Sequence, residues 1–384
     1  MNATLPAPSA DALAHSQRVT DHLRSLITEA GGWLPFSRFM DAALYAPGLG
    51  YYAAGATKFG AGGDFVTAPE LTPLFGRTLA RAIAPVLAQT GGDVLELGAG
   101  SGRLVADVLG ELERMDRLPA RYGILDVSAD LRERQRDTLA RTVPHLLDRV
   151  HWLEALPEAF AGVVLGNEVL DALPVEWVHW TDAGPRVRGV VLEGGGFAWQ
   201  DRDIGDPVLR ARAEALDCVP DYLSEINLAA DALIASLGQS LRHGLVLMID
   251  YGFTASEYYH PQRHMGTLRA HYRHRALDDP FYLPGLTDLT AHVDFSAVAR
   301  AGMAAGLTLT GFTSQASFLL NSGLTELLME TPPTDAAAYL PQANAVQRLV
   351  SPAEMGELFK VIGLTKGEVA PLAGFARGDR QYSL

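Results

Sequence analysis

Residues 94–103 read VLELGAGSGR: an apolar run carrying one glutamate, then glycines at 98, 100 and 102. The run at 93–97 predicts a short buried strand, and the apolar spacing of 104–112 predicts a helix behind it. Glycine in the turn between them permits tight backbone geometry and lets a ligand approach without a Cβ in the way. The helix start offers free N–H groups to a polar or anionic ligand end. A dinucleotide fingerprint would need a third glycine where Arg103 stands, so a NAD-dependent reductase is the weakest reading. A tight strand–helix turn with no ligand is the bland alternative.

Outward from this turn the same alternation repeats. Strands are expected at 122–127, 150–153, 162–165 and 245–250, with Ser128 capping a helix over 129–141. Strands alternating with helices predict an α/β, Rossmann-like, mostly parallel sheet covered on both faces. Glu96, Asp126 and Glu154 then fall at or near the ends of three successive strands, on the edge where such sheets bind ligands. Three carboxylates there are hard to place by accident. Asn167, Glu168 and Asp171 follow the fourth strand in GNEVLDALPVE. Paired carboxylates suit a cationic planar group, above all guanidinium. Asp171 as a helix cap and Glu176 as a surface strand residue are the competing reading.

The remaining segments divide around that core. Residues 1–90 read as a helical extension, with a helix over 11–30 and a glycine- and aromatic-rich loop over 45–70. A second helix starts at Thr72-Pro73. The core takes 91–175 and 241–313; an insertion spans 176–240, hairpins first and helix after; 314–384 reads as helix-rich, with Ser351-Pro352 as an N-cap and first-turn proline. His271 and His274 stand on what reads as an irregular segment with no cysteine or carboxylate beside them, and no metal site is expected. His292 and Asp294 could shape a pocket, or Asp294 could cap the helix that reaches Ala305.

Composition sets the outer limits. The 384 residues are 48% hydrophobic with a mean hydropathy of +0.07, enough for a sizeable core and without a run long enough to span a bilayer. A formal charge of −14 opposes binding to nucleic acid or anionic lipid. One cysteine, Cys218, allows no internal disulfide and fits a reducing compartment. Residues 1–14 carry no basic side chain and read as neither a secretory signal nor a transit peptide, so a cytoplasmic protein is expected.

The G-x-G-x-G spacing with Glu96 ahead of it resembles motif I of class I methyltransferases. The wider blocks GGDFVTAPELTPLFG (62–76), VLELGAGSGRL (94–104), ILDVSADLRERQR (124–136), GNEVLDALPVE (166–176), LMIDYGF (247–253), GTLRAHYRHR (266–275) and DLTAHVDFSAVA (288–299) resemble the MidA family. Its relatives include a mitochondrial methyltransferase that assists respiratory complex I assembly. The resemblance implies S-adenosylmethionine (SAM) as cofactor. Glu96 with the backbone of Gly98, Gly100 and Gly102 would hold its methionyl end, Asp126 its ribose and Glu154 its adenine amine. Asp64, Thr67 and Glu70 would close over it, or would shape the loop alone. It also implies a protein substrate with an arginine acceptor, with a respiratory complex I subunit as the candidate. A small-molecule O- or N-methyltransferase and a SAM-binding assembly chaperone without turnover stay open beside it; oligomeric state and the number of methyls added are not legible.

Overall fold

The computed structural model describes residues 5–54 and 67–384, so Asp64 lies outside the described residues. The chain divides into two units. The larger comprises Val66–Leu170, Asp231–Ala255 and Val293–Leu384; the smaller comprises Met1–Phe65 (of which 5–54 are described), Asp171–Ala230 and Ser256–His292.

Seven strands form the main path of the larger unit's sheet, numbered here in chain order: β1 (Asp93–Leu97), β2 (Tyr122–Leu125), β3 (Val150–Leu153), β4 (Phe160–Asn167), β5 (Leu241–Phe253), β6 (Thr308–Ser314) and β7 (Phe359–Lys366). Their order across the sheet is β3-β2-β1-β4-β5-β7-β6. The first five pair in parallel, and β7 alone runs against both of its neighbours. The chain reverses its direction of travel between β1 and β4, which makes the carboxyl ends of these strands the natural ligand crevice. The central segments of β4 and β5 are buried on both faces, which is why they read as unbroken apolar runs rather than alternating ones. This is the Rossmann-like, mostly parallel sheet that the alternation predicted.

Three helices position the turns. Helix α1 (Pro73–Thr90) starts with Thr72 accepting the Leu74 N–H and ends at Gly91 in left-handed geometry. Helix α2 (Arg103–Arg114) follows the glycine turn. Helix α3 (Ala129–Thr142) is capped by Ser128, whose hydroxyl accepts from the Leu131 N–H. Phe75, Leu79, Ile83, Val105, Leu109 and Leu112 bury the α1 and α2 faces against strand residues such as Val94 and Val163. Each such side chain stabilises the unit by about 1.5–3 kcal/mol. Buried Glu111 on α2 accepts from Arg77 and Arg81 of α1; burial opposes ionisation, yet these arginines hold its carboxyl below its ordinary value.

Two readings of the C-terminal part change. The stretch 314–384 holds the helix Ala336–Val350 and also the whole of β7, which is buried through its length. A strand buried on both faces carries no alternation to reveal it. Ser351 ends the helix Ala336–Val350, donating its N–H to the Gln347 carbonyl, and no N-cap forms at Ser351-Pro352. Asp294 is a cap, as one alternative held: its carboxylate accepts from the Ala297 N–H at the start of Phe295–Ala304.

In the smaller unit, the strands Leu34–Pro35, Gly184–Glu193, Glu176–Thr181 and Tyr222–Ile226 pair in that order, with Gly196–Asp203 on Gly184–Glu193. All are antiparallel, matching the hairpins expected in the insertion. Phe36, Trp177 and Trp199 pack edge to face or tilted in its core, and Phe39 stacks on Phe36. The segment around His271 and His274, read as irregular, is a hairpin of Arg269–Tyr272 with Arg275–Leu277. Arg273 and His274 both take positive φ in its turn (47° and 62°), a role usually given to Asn-Gly, so the turn signal is missing from the sequence. Glu225, almost fully buried, anchors the start of this segment by accepting the Thr267 and Leu268 N–H groups and the Tyr258 hydroxyl.

Candidate active site

At the carboxyl edge of β1 the chain leaves the sheet through Gly98, Gly100 and Gly102, all at positive φ (60°, 52° and 81°). The three glycines serve different ends. A Cβ on Gly98 would touch Val169 at 3.5 Å, and one on Gly102 would press on the Gln135 backbone at 3.0 Å. A Cβ on Gly100 would point into open space. Gly102 therefore lets α2 and α3 approach, whereas Gly100 is the position that keeps the turn clear for a ligand.

Glu96 lies one layer beneath, fully buried, with the Tyr122 hydroxyl donating to it. Burial pushes its carboxyl up to about 8, against the pull of Tyr122 and with a further push from Asp126. Asp126, at the end of β2, accepts from the Ser128 N–H at 3.0 Å and from Gln135 at 2.8 Å. Burial raises its pKa and these donors oppose the rise. Two oxygens offer about four acceptor positions, so the carboxylate keeps capacity for a diol. Val127 beside it is 74% exposed, an apolar side chain presented at the edge.

Glu154 behaves otherwise. Its side chain is 88% exposed and pairs with Arg132 at 2.7 Å, so it borders the edge as one half of a surface ion pair. Thr67 precedes the short helix Ala68–Leu71 without a side-chain capping bond. Glu70 in that helix accepts a hydrogen bond from the Ser101 hydroxyl, which fastens the TAPE segment to the glycine turn.

The turn after β4 is built differently. Glu168 has φ of 53°, left-handed geometry that costs a side-chain-bearing residue roughly 1–2 kcal/mol. Its N–H donates to the Ile249 carbonyl, and Asn167 donates to its carboxylate at 3.1 Å. The Asn167 side-chain oxygen is buried without a partner. Asp250, almost fully buried on β5, accepts the Val169 and Leu170 N–H groups at 3.1 and 2.9 Å and the Tyr251 N–H at 2.9 Å. One carboxylate thus holds the turn that presents Glu168. Asp171 opens the smaller unit and is buried there, its carbonyl accepting from Ala291. No helix begins after it, since the next element is the strand Glu176–Thr181, which removes the capping alternative. Glu176 is half-buried rather than on the surface and accepts from Ser37 at 2.6 Å. In the same unit Tyr52 donates to buried Asp288 at 2.9 Å. Burial pushes that phenol well above its ordinary value, and Asp288 and Asp171 push it further.

Open space at Gly100, a carboxylate with acceptor capacity to spare at Asp126 and an exposed apolar Val127 between strand end and helix are compatible with a SAM nucleoside. Residues 78–313, more than half of the chain, match the sequence family described as "Putative S-adenosyl-L-methionine-dependent methyltransferase". The chain belongs to this family. Its cofactor is SAM and its reaction class is methyl transfer. A crystal structure of a superfamily member from Burkholderia thailandensis, bound to S-adenosylhomocysteine, superposes with a TM-score of 0.96 at 51% identity, covering 99% of this chain and 100% of that one. The mitochondrial protein arginine methyltransferase NDUFAF7 of Danio rerio is 28% identical over 95% of this chain and 94% of its own. The Homo sapiens protein of that name is 28% identical over 94% and 87%.

Gln135, Trp152, Arg132 and Ser101 also build this edge and were not marked by the sequence pattern. Gln135 had a readable signal, since it interrupts the buried stripe Leu131, Gln135, Leu139 of α3.

Proposed function

We propose that this methyltransferase modifies an arginine side chain of a protein. The observation that carries the reading is Glu168, a carboxylate kept in left-handed backbone at the end of a central strand and held there through Asp250. Strain of this kind persists where the surrounding structure over-determines it, and it clusters at functional sites. The curated relatives named as protein arginine methyltransferases support the same acceptor.

Bound SAM supplies an electrophilic methyl group on its sulfonium. The chain's own part is to orient a guanidinium nitrogen and to receive the proton lost when the N–CH3 bond forms and the S–CH3 bond breaks. Glu168 suits both tasks, since a carboxylate pairs with guanidinium N–H groups and accepts a proton. Asn167 aligns it, and Asp171, three residues on, is the second carboxylate of the proposal. Gly98, Gly100, Asp126 and the Glu70-anchored segment would hold the cofactor, with Glu96 and Gly102 shaping the turn from behind. A respiratory complex I subunit as acceptor rests on the family resemblance. A cytoplasmic site of action belongs to the same proposal and rests on a chain with a single cysteine.

The test is methyl transfer from radiolabelled SAM into proteins of the source cell, followed by mass spectrometry of the labelled residue. Methylarginine with the wild type and none with Glu168→Gln is the expected result. Label confined to small molecules would overturn the acceptor, and no label at all would favour a binding-only assembly factor.

A further inference from the structure

Resting on the SAM reading of this edge, we propose that Gln135 is a positioning residue of the cofactor site, its amide setting the glycine turn, the Asp126 carboxylate and the Trp152 indole in one fixed arrangement before the nucleoside arrives. Gln135 is fully buried on the apolar stripe of α3. A buried amide is costly unless it is paired, and this one is paired on both sides. Its nitrogen donates to the Gly100 carbonyl at 3.1 Å and to Asp126 at 2.8 Å. Its oxygen accepts from the Trp152 indole N–H at 2.8 Å. Rotating the amide by half a turn would set its oxygen against a carbonyl and a carboxylate, so a single orientation survives.

The three partners belong to three different places. Gly100 is in the turn after β1, Asp126 ends β2, and Trp152 lies on β3. The residue that links them sits behind the edge and leaves the front of Asp126 free for a diol. Its backbone lies 3.0 Å from where a Cβ on Gly102 would stand, so a side chain there would crowd the helix that carries Gln135. Preorganised donors of this type lower the reorganisation a ligand must otherwise drive.

The arrangement also governs charge. Burial favours the neutral acid at Asp126, and the amides of Gln135 and Ser128 favour the carboxylate. The other groups that face Asp126 are Glu96, which carries the Tyr122 hydrogen bond, and Arg132, which pairs with Glu154. They are unchanged by substitution at 135, so they cancel when variants are compared with the wild type.

The experiment is calorimetric titration of the full chain with S-adenosylhomocysteine from pH 6 to 8.5, for wild type, Gln135→Met and Gln135→Glu. Thermal melting of each protein without ligand accompanies it. Gln135→Met preserves volume and removes every hydrogen bond, and its affinity is expected to fall about tenfold or more. The deficit should widen as pH falls, because Asp126 without its amide donor protonates more readily. Gln135→Glu should show the opposite sign: its new carboxyl can donate to Asp126 only when protonated, so the deficit widens as pH rises. Equal deficits at every pH in both variants would reduce Gln135 to a packing residue, and no deficit would remove it altogether. If Gln135→Met does not fold, the sign of the pH dependence in Gln135→Glu decides alone. A wild type that binds no S-adenosylhomocysteine would overturn the cofactor reading itself, and Gln135's role with it.

Discussion

The turns after β1 and after β4 both need left-handed backbone, and the protein meets that need in two ways. After β1 the positive-φ positions are all glycine, 98, 100 and 102. After β4 the position is Glu168, and a buried carboxylate from β5 holds the neighbouring N–H groups in place. Glycine would satisfy the second turn with less strain. That a glutamate stands there instead, with Asp250 behind it, is what the role proposed for its side chain accounts for. The first turn is shaped by what must be absent from it, and the second by what must be present.

Substitutions can break this contrast on either side. The largest effect is expected for Gly100→Val, where a β-branched side chain opposes the backbone and fills the open space. Binding of S-adenosylhomocysteine should fall by more than about 100-fold in calorimetry, since both the turn and the ligand are obstructed. Retained micromolar affinity would mean the ligand does not approach this turn. Next is Glu168→Gln, expected to leave that affinity within about twofold while methyl transfer drops by about 100-fold or more. Equal rates would take Glu168 out of the chemistry and leave its strain unexplained.

Asp250→Ala comes third. It strands the Val169, Leu170 and Tyr251 N–H groups, and urea unfolding should show a loss of about 3 kcal/mol. A loss below about 1 kcal/mol would mean that the turn holds itself. Counted per pH unit, the smallest effect is the pH response of Glu96. With its folded-state pKa raised from 4.5 to about 8, the folded protein binds a proton that the unfolded chain has released across that window. Ligand-free stability should therefore decline as pH rises from about 4.5 to 8, by at most about 1.4 kcal/mol per unit. Glu96→Gln should flatten that decline in melting curves taken across the range. An unchanged slope would place the titration elsewhere.

The sequence carried the parallel part of the sheet well, because each strand is an apolar run closed by a turn residue and followed by a periodic helix. β1 and β3 fall where the pattern places them, and α3 starts at its serine cap. β7 was hidden, since its neighbours in the sheet lie more than a hundred residues away on one side and some fifty on the other, and its apolar run follows directly on a short helical turn. The positive-φ pair Arg273 and His274 was hidden for the opposite reason: the geometry is demanding but the residue types do not announce it. At the candidate site, the residues proposed to face a ligand stood out as carboxylates after strands. The residue that braces them did not, because Gln135 sits on the buried stripe of a helix and reaches a carbonyl, a carboxylate and an indole on three separate segments. Glu154 shows the limit of position alone, for a carboxylate after a strand can turn to an arginine on the surface.

β7 is the last strand of the sheet to be synthesised. It slots between β5 and β6, both of which precede it in the chain. During synthesis, a ribosome that has not yet passed residue 359 holds a protein whose ligand-binding strands exist but whose sheet has a vacant lane, bordered by two unpaired edges. Exposed edges invite pairing with other chains. The interval before β7 threads into that lane is therefore when the nascent polypeptide is most exposed to aggregation and most in need of chaperone cover, and premature termination upstream of it would yield an adhesive fragment rather than a smaller enzyme.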